Sequence, residues 1–386
     1  MAAKVTFFPV GNGDMTLFKT DRDKFVLIDI HVRKAADDPD DETPDVIAQL
    51  KERLPRDAHD HPYVHAMMLS HPDKDHCSGL ETHFHLEPID EYPKGSGKII
   101  IREMWSSPIV FRRASKEHTL CPDAKAWAAE ARRRVKLFRE LGYCAEGDRV
   151  LIMGEDVDGK TDDLTAILVK VDQNWTRIDG QEDGSFSAEL LAPLPAGDDD
   201  DEEETLTKNN SSIISLIQVS NGNVADACRF LTGGDAEVAI WERLWDRHSD
   251  NAEQRLGYDL LQAPHHCSWH SLSWDSWSGM GNDAKVSDDA RSALGQPRDG
   301  AKIVASSKPI KDDEADPPCV RAEREYKDIL TGVGGEFVCV GDRKDPLEYE
   351  VKPGGLELVK KTETARAAII GVTAPALIGA RPVGHG

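Results

Sequence analysis

The chain has 386 residues, 30% of them charged, with 47 basic against 70 acidic side chains and a formal net charge of −23. That length can bury a large core, as one big domain or two ordinary ones, and the acidic balance argues against a surface that binds polyanions nonspecifically; it leaves room for a nucleic-acid substrate at a local basic or metal-bearing site. The seven cysteines are odd in number and contain no CxxC pair, which argues against a disulfide scaffold or a zinc knuckle and for a reducing compartment.

Three short strands are expected at 4–9, 15–20 and 25–30, separated by the turns Gly11-Asn12-Gly13-Asp14 and Asp21-Arg22-Asp23-Lys24. The first follows Met1-Ala2-Ala3 directly, without the apolar segment and cleavage site of a signal peptide, so a cytoplasmic protein is expected. Thr43 and Pro44 mark the start of a helix over 44–54, and a strand at 64–69 follows it, so a crossover makes the sheet mixed. Residues 81–122 read as irregular, with a strand-like piece at 98–102. A helix over 123–141 carries Arg132, Arg133, Arg134, Lys136 and Arg139; this basic face is a candidate for phosphate contact, but a solvated face offsetting an acidic protein is the favoured reading.

Strands are expected again at 150–153, 165–171 and 188–191, before the acidic run 198–204, which has no apolar residue and reads as a solvated loop. Strands at 213–219 and 227–232 pair across Ser220-Asn221-Gly222-Asn223, a helix spans 236–247, and strands at 302–306 and 336–340 flank a helix at 320–330. The apolar stretch 367–380 is too short to span a bilayer and is broken by Gly371, Pro375 and Gly379, so it reads as a docking or disordered tail. The expected organisation is one domain over 1–351, with a helical insertion at 81–145 and an acidic loop at 197–208, followed by a tail at 352–386.

Three apolar strand-like runs end in ionisable residues. Met67-Met68-Leu69 leads into His71-Pro72-Asp73-Lys74-Asp75-His76, Phe230-Leu231 into Asp235, and Leu260-Leu261 into His265-His266. Such groups are costly to bury without a cation, and three strand ends on one sheet edge can deliver ligands to a dinuclear centre. His71, Asp75 and His76 are therefore read as ligands, while Asp73 either ligates or orients a neighbouring imidazole. Asp235 is the natural bridging carboxylate, although it could equally cap the helix after it. His265 and His266 are expected to divide the work, one on metal and one on substrate or leaving group; His265 is assigned to the metal and His266 to catalysis, with the reverse open. Asp29 supports the metal loop or ligates, Asn209, Asn210, Ser211 and Ser212 offer amide and hydroxyl groups or make an ordinary turn, and Cys77 and Cys267 read as small buried hydrophobes.

These features resemble the metallo-β-lactamase fold, an αββα sandwich of two mixed sheets flanked by helices, over nearly the whole span 4–351. Within that group the chain resembles the soluble domain of ComEC-type competence proteins. The stretch Val5-Thr6-Phe7-Phe8-Pro9-Val10-Gly11-Asn12-Gly13-Asp14 resembles the family's DVGQGD opening, Leu27-Ile28-Asp29 its LIDTG, and the run 70–80 its SHxDxDHxGGL. Asn209-Asn210-Ser211-Ser212 and Leu231-Thr232-Gly233-Gly234-Asp235 resemble NNxS and LLTGD, and Ala263-Pro264-His265-His266-Cys267-Ser268 resembles APHHGS, which brings Ser268 into the candidate site. Ile30, Cys77, Cys267 and Asp316 depart from the family pattern, and no separate histidine motif lies between the first metal cluster and Asp235.

The resemblance implies a supporting role for Asp29 and hydrolysis of a phosphodiester, in DNA, RNA or a nucleotide, by a metal-bound hydroxide with Asp75, Asp235 and His266 in the catalytic roles. Two divalent ions are expected, zinc or manganese, with magnesium compatible with the oxygen-rich ligand set. The alternatives are a thioester, lactone or β-lactam hydrolase, or a metal-stabilised module that docks a protein partner; no membrane association is expected.

Overall fold

The structure is a computed structural model, and it describes residues 2–38, 40–111, 120–155, 159–194, 208–222 and 224–360. The acidic run 198–204 and the apolar stretch 367–380 lie outside the described residues.

Two large mixed sheets carry the fold. The first runs in the order Gly355–Leu358, Leu347–Lys352, Lys4–Phe7, Thr16–Lys19, Phe25–Ile28, Tyr63–Leu69, Ile99–Ser106, Arg149–Met153 and Leu168–Val169, with Phe84–His85 pairing beside Ile99–Ser106. It is antiparallel as far as Phe25–Ile28 and parallel beyond. The second runs Glu336–Cys339, Pro297–Ala305, Tyr258–Gln262, Val224–Leu231, Ile214–Asn221, Phe186–Ala192 and Asn174–Trp175, parallel over its first four strands and antiparallel over the rest.

The parallel strands read as near-continuous apolar runs because both their faces are covered. In Tyr63–Leu69 every residue but the first is buried: Met68 packs between the sheets and Met67 against the outer helices. Val5, Phe7, Val26 and Trp105 of the first sheet share one core with Ile217, Phe230, Leu260 and Val304 of the second, and the rings of Phe7 and Phe230 meet edge to face at 5.9 Å. The outer face of the first sheet is covered by the helices Val46–Lys51 and Pro122–Leu141, and that of the second by Val238–His248, Asp288–Leu294 and Val320–Thr331.

Several expected elements change. The first helix spans only Val46–Lys51 and is capped by Asp45, whose carboxylate accepts from the Ala48 N–H; Thr43 instead donates its own N–H to Asp41. The strand expected at 165–171 shrinks to Leu168–Val169, because Leu164 and Ile167 spend their N–H groups in successive turns onto Thr161 and Leu164. The strand-like piece at 98–102 extends to Ile99–Ser106 and lies inside the sheet, so the segment 81–145 contributes to the core rather than only decorating it. Gly355–Leu358, expected in the tail, pairs with Leu347–Lys352 as the sheet's edge strand. Among the described residues no helix is long and apolar enough to cross a membrane.

Candidate metal centre

The residues singled out from the sequence gather at one rim of the two sheets. Asp29 follows Phe25–Ile28, His71 follows Tyr63–Leu69, Asp235 follows Val224–Leu231, and His265 and His266 follow Tyr258–Gln262, so each leaves the carboxyl end of a parallel strand. Backbone hydrogen bonds tie these ends together: Asp14 N–H to Asp75 O at 3.1 Å, Ile213 N–H to Ser70 O at 2.9 Å and His265 N–H to Gly234 O at 2.8 Å. Gly13 is required at its position, because at φ +150° a Cβ would lie 2.7 Å from the Asp75 carbonyl oxygen and 2.6 Å from the His31 ring.

Asp235 stands at the centre, 2% exposed, with its two oxygens facing different partners. Oδ1 lies 2.9 Å from His76 Nε2 and 3.5 Å from His266 Nε2, which is itself 3.5 Å from Asp75 Oδ2. Oδ2 lies 3.6 Å from His71 Nε2 and 3.7 Å from His265 Nε2, and Asp73 Oδ2 is 3.9 Å from His71 Nε2. Ligand atoms about 2.1 Å from a tetrahedral ion stand about 3.4 Å apart, so most of these spacings suit atoms sharing a cation better than atoms sharing a proton.

His71 Nε2, His76 Nε2, His266 Nε2, Asp235 Oδ1 and Asp14 Oδ1 are all buried and have no hydrogen-bond partner among the described residues. Each such atom ordinarily costs about 1–3 kcal/mol, and five in one place call for a shared ligand. Asp14, His76, Asp235 and His266 form a fully buried group in which one ligand atom from each lies within 4.8 Å of the others, a group that could hold a metal ion. The donor set of imidazoles and carboxylates fits a divalent cation.

The far sides of two imidazoles are fixed by the protein. His76 Nδ1 pairs with Asp29 Oδ2 at 2.8 Å, and Asp29 in turn accepts from the Ser70 N–H and hydroxyl, both at 2.6 Å. His266 Nδ1 lies 3.1 Å from the Ser306 carbonyl oxygen, so both rings turn Nε2 towards Asp235. His265, His266 and Cys267 all adopt left-handed φ values, between 48° and 68°, at roughly 1–2 kcal/mol per residue. Such strain is characteristic of a loop shaped for a ligand.

Charge follows this geometry. Burial opposes ionisation of Asp235, but His76, His266 and His71 outweigh it and hold its carboxyl well below the ordinary range. Burial likewise opposes protonation of His76 and His266, yet the Asp235 and Asp29 carboxylates raise His76 well above its usual value, and Asp235 and Asp14 raise His266 to about 10. His71 goes the other way, kept neutral by burial and by the charge of His76.

Of the remaining residues proposed from sequence, Ser212 Oγ accepts from the Asp235 N–H at 3.1 Å and supports the cluster. Asn209 is turned away, donating to Glu237 at 2.9 Å, and Ser268 donates to Asp316 at 2.7 Å. The Asn210 side chain lies outside the described residues. Two residues given no role from sequence also belong here. Asp14 sits behind the imidazoles, 3.7 Å from His76 Nδ1 and 3.5 Å from His266 Nδ1. His31 is half-buried, its Nδ1 has no partner among the described residues, and burial lowers its pKa to about 4 against the opposing charge of Asp75. The available signal was position: Asp14 ends the Gly-rich turn, and His31 lies two residues beyond Asp29.

The basic face expected on Pro122–Leu141 is largely paired within the protein, although Arg132 and Lys136 stay exposed. Arg133 bonds Glu130 and Asp148, Arg139 bonds Asp163 through two nitrogens at 2.7 and 2.8 Å, and Arg134 is buried. No protein-family model matches this chain, and no match was found among curated proteins.

Proposed function

We propose that the protein is a metal-dependent hydrolase of the metallo-β-lactamase fold, similar to the soluble ComEC-like branch, and that it cleaves phosphodiesters in nucleic acids or nucleotides. The observation that carries this reading is Asp235, whose two oxygens face two separate ligand groups, His76, His266 and Asp75 on one side and His71, His265 and Asp73 on the other. Divalent cations held there would lower the pKa of water and neutralise charge building on the attacked centre. Carboxylates from Asp73, Asp75 and Asp235 supply enough negative charge to hold two cations, the arrangement suited to gripping the attacking and leaving oxygens of an in-line displacement.

Asp75 is the residue we assign to proton transfer. Its side chain is 38% exposed, far more than that of Asp235, so it faces incoming water and substrate. Burial opposes its ionisation, but His266 and His76 outweigh it and keep the carboxylate charged. Asp29 and Ser306 hold the two imidazoles in the tautomer that presents Nε2.

The test is to measure bound metal in the purified protein and incubate it with single- and double-stranded DNA, RNA and a chromogenic phosphodiester in manganese, magnesium or zinc. Asp75→Ala is the control. Cleavage that falls at least a hundredfold in a folded variant supports the proposal. Turnover of thioesters or lactones but not phosphodiesters would replace the substrate class, and metal binding without any turnover would leave a docking module.

A further inference from the structure

Cys77 closes the short helical turn Lys74–Cys77 that carries Asp75 and His76, and Cys121 caps the helix Pro122–Leu141. Both are free thiols, and their sulfurs lie 3.4 Å apart although 44 positions separate them in the chain. The two segments are already braced against each other, since Asp123 accepts from the backbone N–H groups of Gly79 and Glu81 at 3.2 and 2.8 Å. A disulfide needs the sulfurs at about 2.05 Å, so closure asks for a movement of roughly 1.4 Å.

We propose that Cys77 and Cys121 form an oxidisable dithiol, closed by a peroxide into a disulfide that distorts the turn bearing Asp75 and His76 and weakens its hold on a cation. The two thiols are not equivalent. Cys77 is fully buried, and its single thiol proton has two acceptors in reach, the Asp73 carbonyl oxygen at 2.9 Å and the Cys121 sulfur at 3.4 Å. Cys121 is half-buried and receives hydrogen bonds at its sulfur from the Cys77 thiol and the Ala124 N–H, which together hold its pKa at about 6. It is therefore the sulfur that meets the oxidant.

Cys121 attacks one peroxide oxygen; the O–O bond breaks, and Cys121 becomes a sulfenic acid as the first water leaves. Cys77 then attacks the Cys121 sulfur, the S–O bond breaks, and a second water carries off the hydroxyl and the remaining thiol proton. Two electrons pass from the two sulfurs to one hydrogen peroxide, giving one disulfide and two waters. Closure pulls Cys77 off the Asp73 carbonyl and towards the long helix. Asp73, Asp75 and His76 all belong to that turn or its cap, so the ligand spacing is disturbed at three positions.

The second half of the proposal, the coupling to a cation, rests on the metal centre described above; the first half does not. The experiment treats the reduced full chain with stoichiometric hydrogen peroxide, maps linked peptides by mass spectrometry, and measures zinc affinity by competition with a chromogenic chelator. A Cys77–Cys121 peptide should form before Cys144, Cys228, Cys267, Cys319 or Cys339 is modified. Zinc affinity should fall at least about tenfold and recover with dithiothreitol, the size of effect expected when supports of metal ligands are disturbed. Oxidised Cys121→Ser, or Cys121→Ala should the serine variant misfold, should keep its affinity. Absence of the linked peptide overturns the dithiol, and a linked protein of unchanged affinity overturns the coupling. Reduced protein that binds no zinc overturns the metal reading and the coupling with it, while the peptide map still decides the dithiol.

Discussion

Arg134 and Asp235 are both ionisable and almost fully buried, at 1% and 2% exposure, and both lie in segments whose charge is conspicuous in the sequence. Arg134 spends every nitrogen: Nε on Glu130 at 2.7 Å, Nη1 on the Arg149 carbonyl at 3.0 Å and Nη2 on the Ile101 carbonyl at 3.0 Å. Asp235 is crowded by imidazoles, yet among the described residues its Oδ1 completes no hydrogen bond, and the Nε2 atoms of His71, His76 and His266 are left in the same condition. The difference separates charge that builds the fold from charge that waits for a ligand. Saturation, not burial or charge density, distinguishes the two.

The comparison can be broken in three places. Arg134→Met removes one partner of a buried pair and leaves Glu130 with less to offset it, so unfolding free energy should fall by about 3–5 kcal/mol in denaturant titrations. Metal binding at the rim should be unchanged in whatever fraction stays folded; a variant of normal stability would show that the helix charges are as dispensable as surface ones.

A third buried group sharpens the contrast. Glu103 accepts from the Trp105 indole at 3.2 Å and the Asp179 N–H at 2.8 Å, but burial dominates and raises its pKa to about 7. Because the folded value lies above the ordinary one, the stabilisation it gives is present below about pH 4.5 and is lost as pH rises through 7. Glu103→Gln, whose carbonyl can still accept both bonds, should abolish that decline and exceed the parent protein in stability at pH 8 by up to about 3 kcal/mol. Parallel pH profiles for the two proteins would contradict it.

The smallest effect concerns Asp14, which faces the Nδ1 sides of His76 and His266 rather than Asp235. Asp14→Asn should weaken zinc binding about ten- to a hundredfold while leaving the fold intact, as measured by chelator competition and thermal melting. Complete loss of binding would make Asp14 a direct ligand, as its place in the buried group with His76, Asp235 and His266 allows.

These contrasts also explain what the sequence could reveal. His71, Asp75, His76, Asp235, His265 and His266 were legible because each follows an apolar run, and a strand end fixes a side chain's location with little further information. Asp14 and His31 were not, because their place depends on loop backbone such as the Asp14 N–H bond to Asp75 and on the Cβ-free approach of Gly13. The reach of Ile99–Ser106 into the sheet and the pairing of Gly355–Leu358 were equally hidden, since both depend on which neighbour offers an open edge. The pairing of Arg133 and Arg134 with Glu130 is local to the helix, but their bonds to Asp148 and the Ile101 carbonyl are tertiary, since those partners are distant in sequence.

The rim cluster draws on both halves of the sandwich, with Asp14, His71 and His76 reached from the first sheet and Asp235, His265 and His266 from the second. A cation held by both sets would also be a seam. It would fasten the two sheets along one edge, adding about 2.7 kcal/mol to stability at a ligand concentration a hundred times its dissociation constant. Chelation should therefore unzip the molecule from this rim first, speeding amide exchange at the ends of Tyr63–Leu69, Val224–Leu231 and Tyr258–Gln262 while the opposite ends of the same strands stay protected.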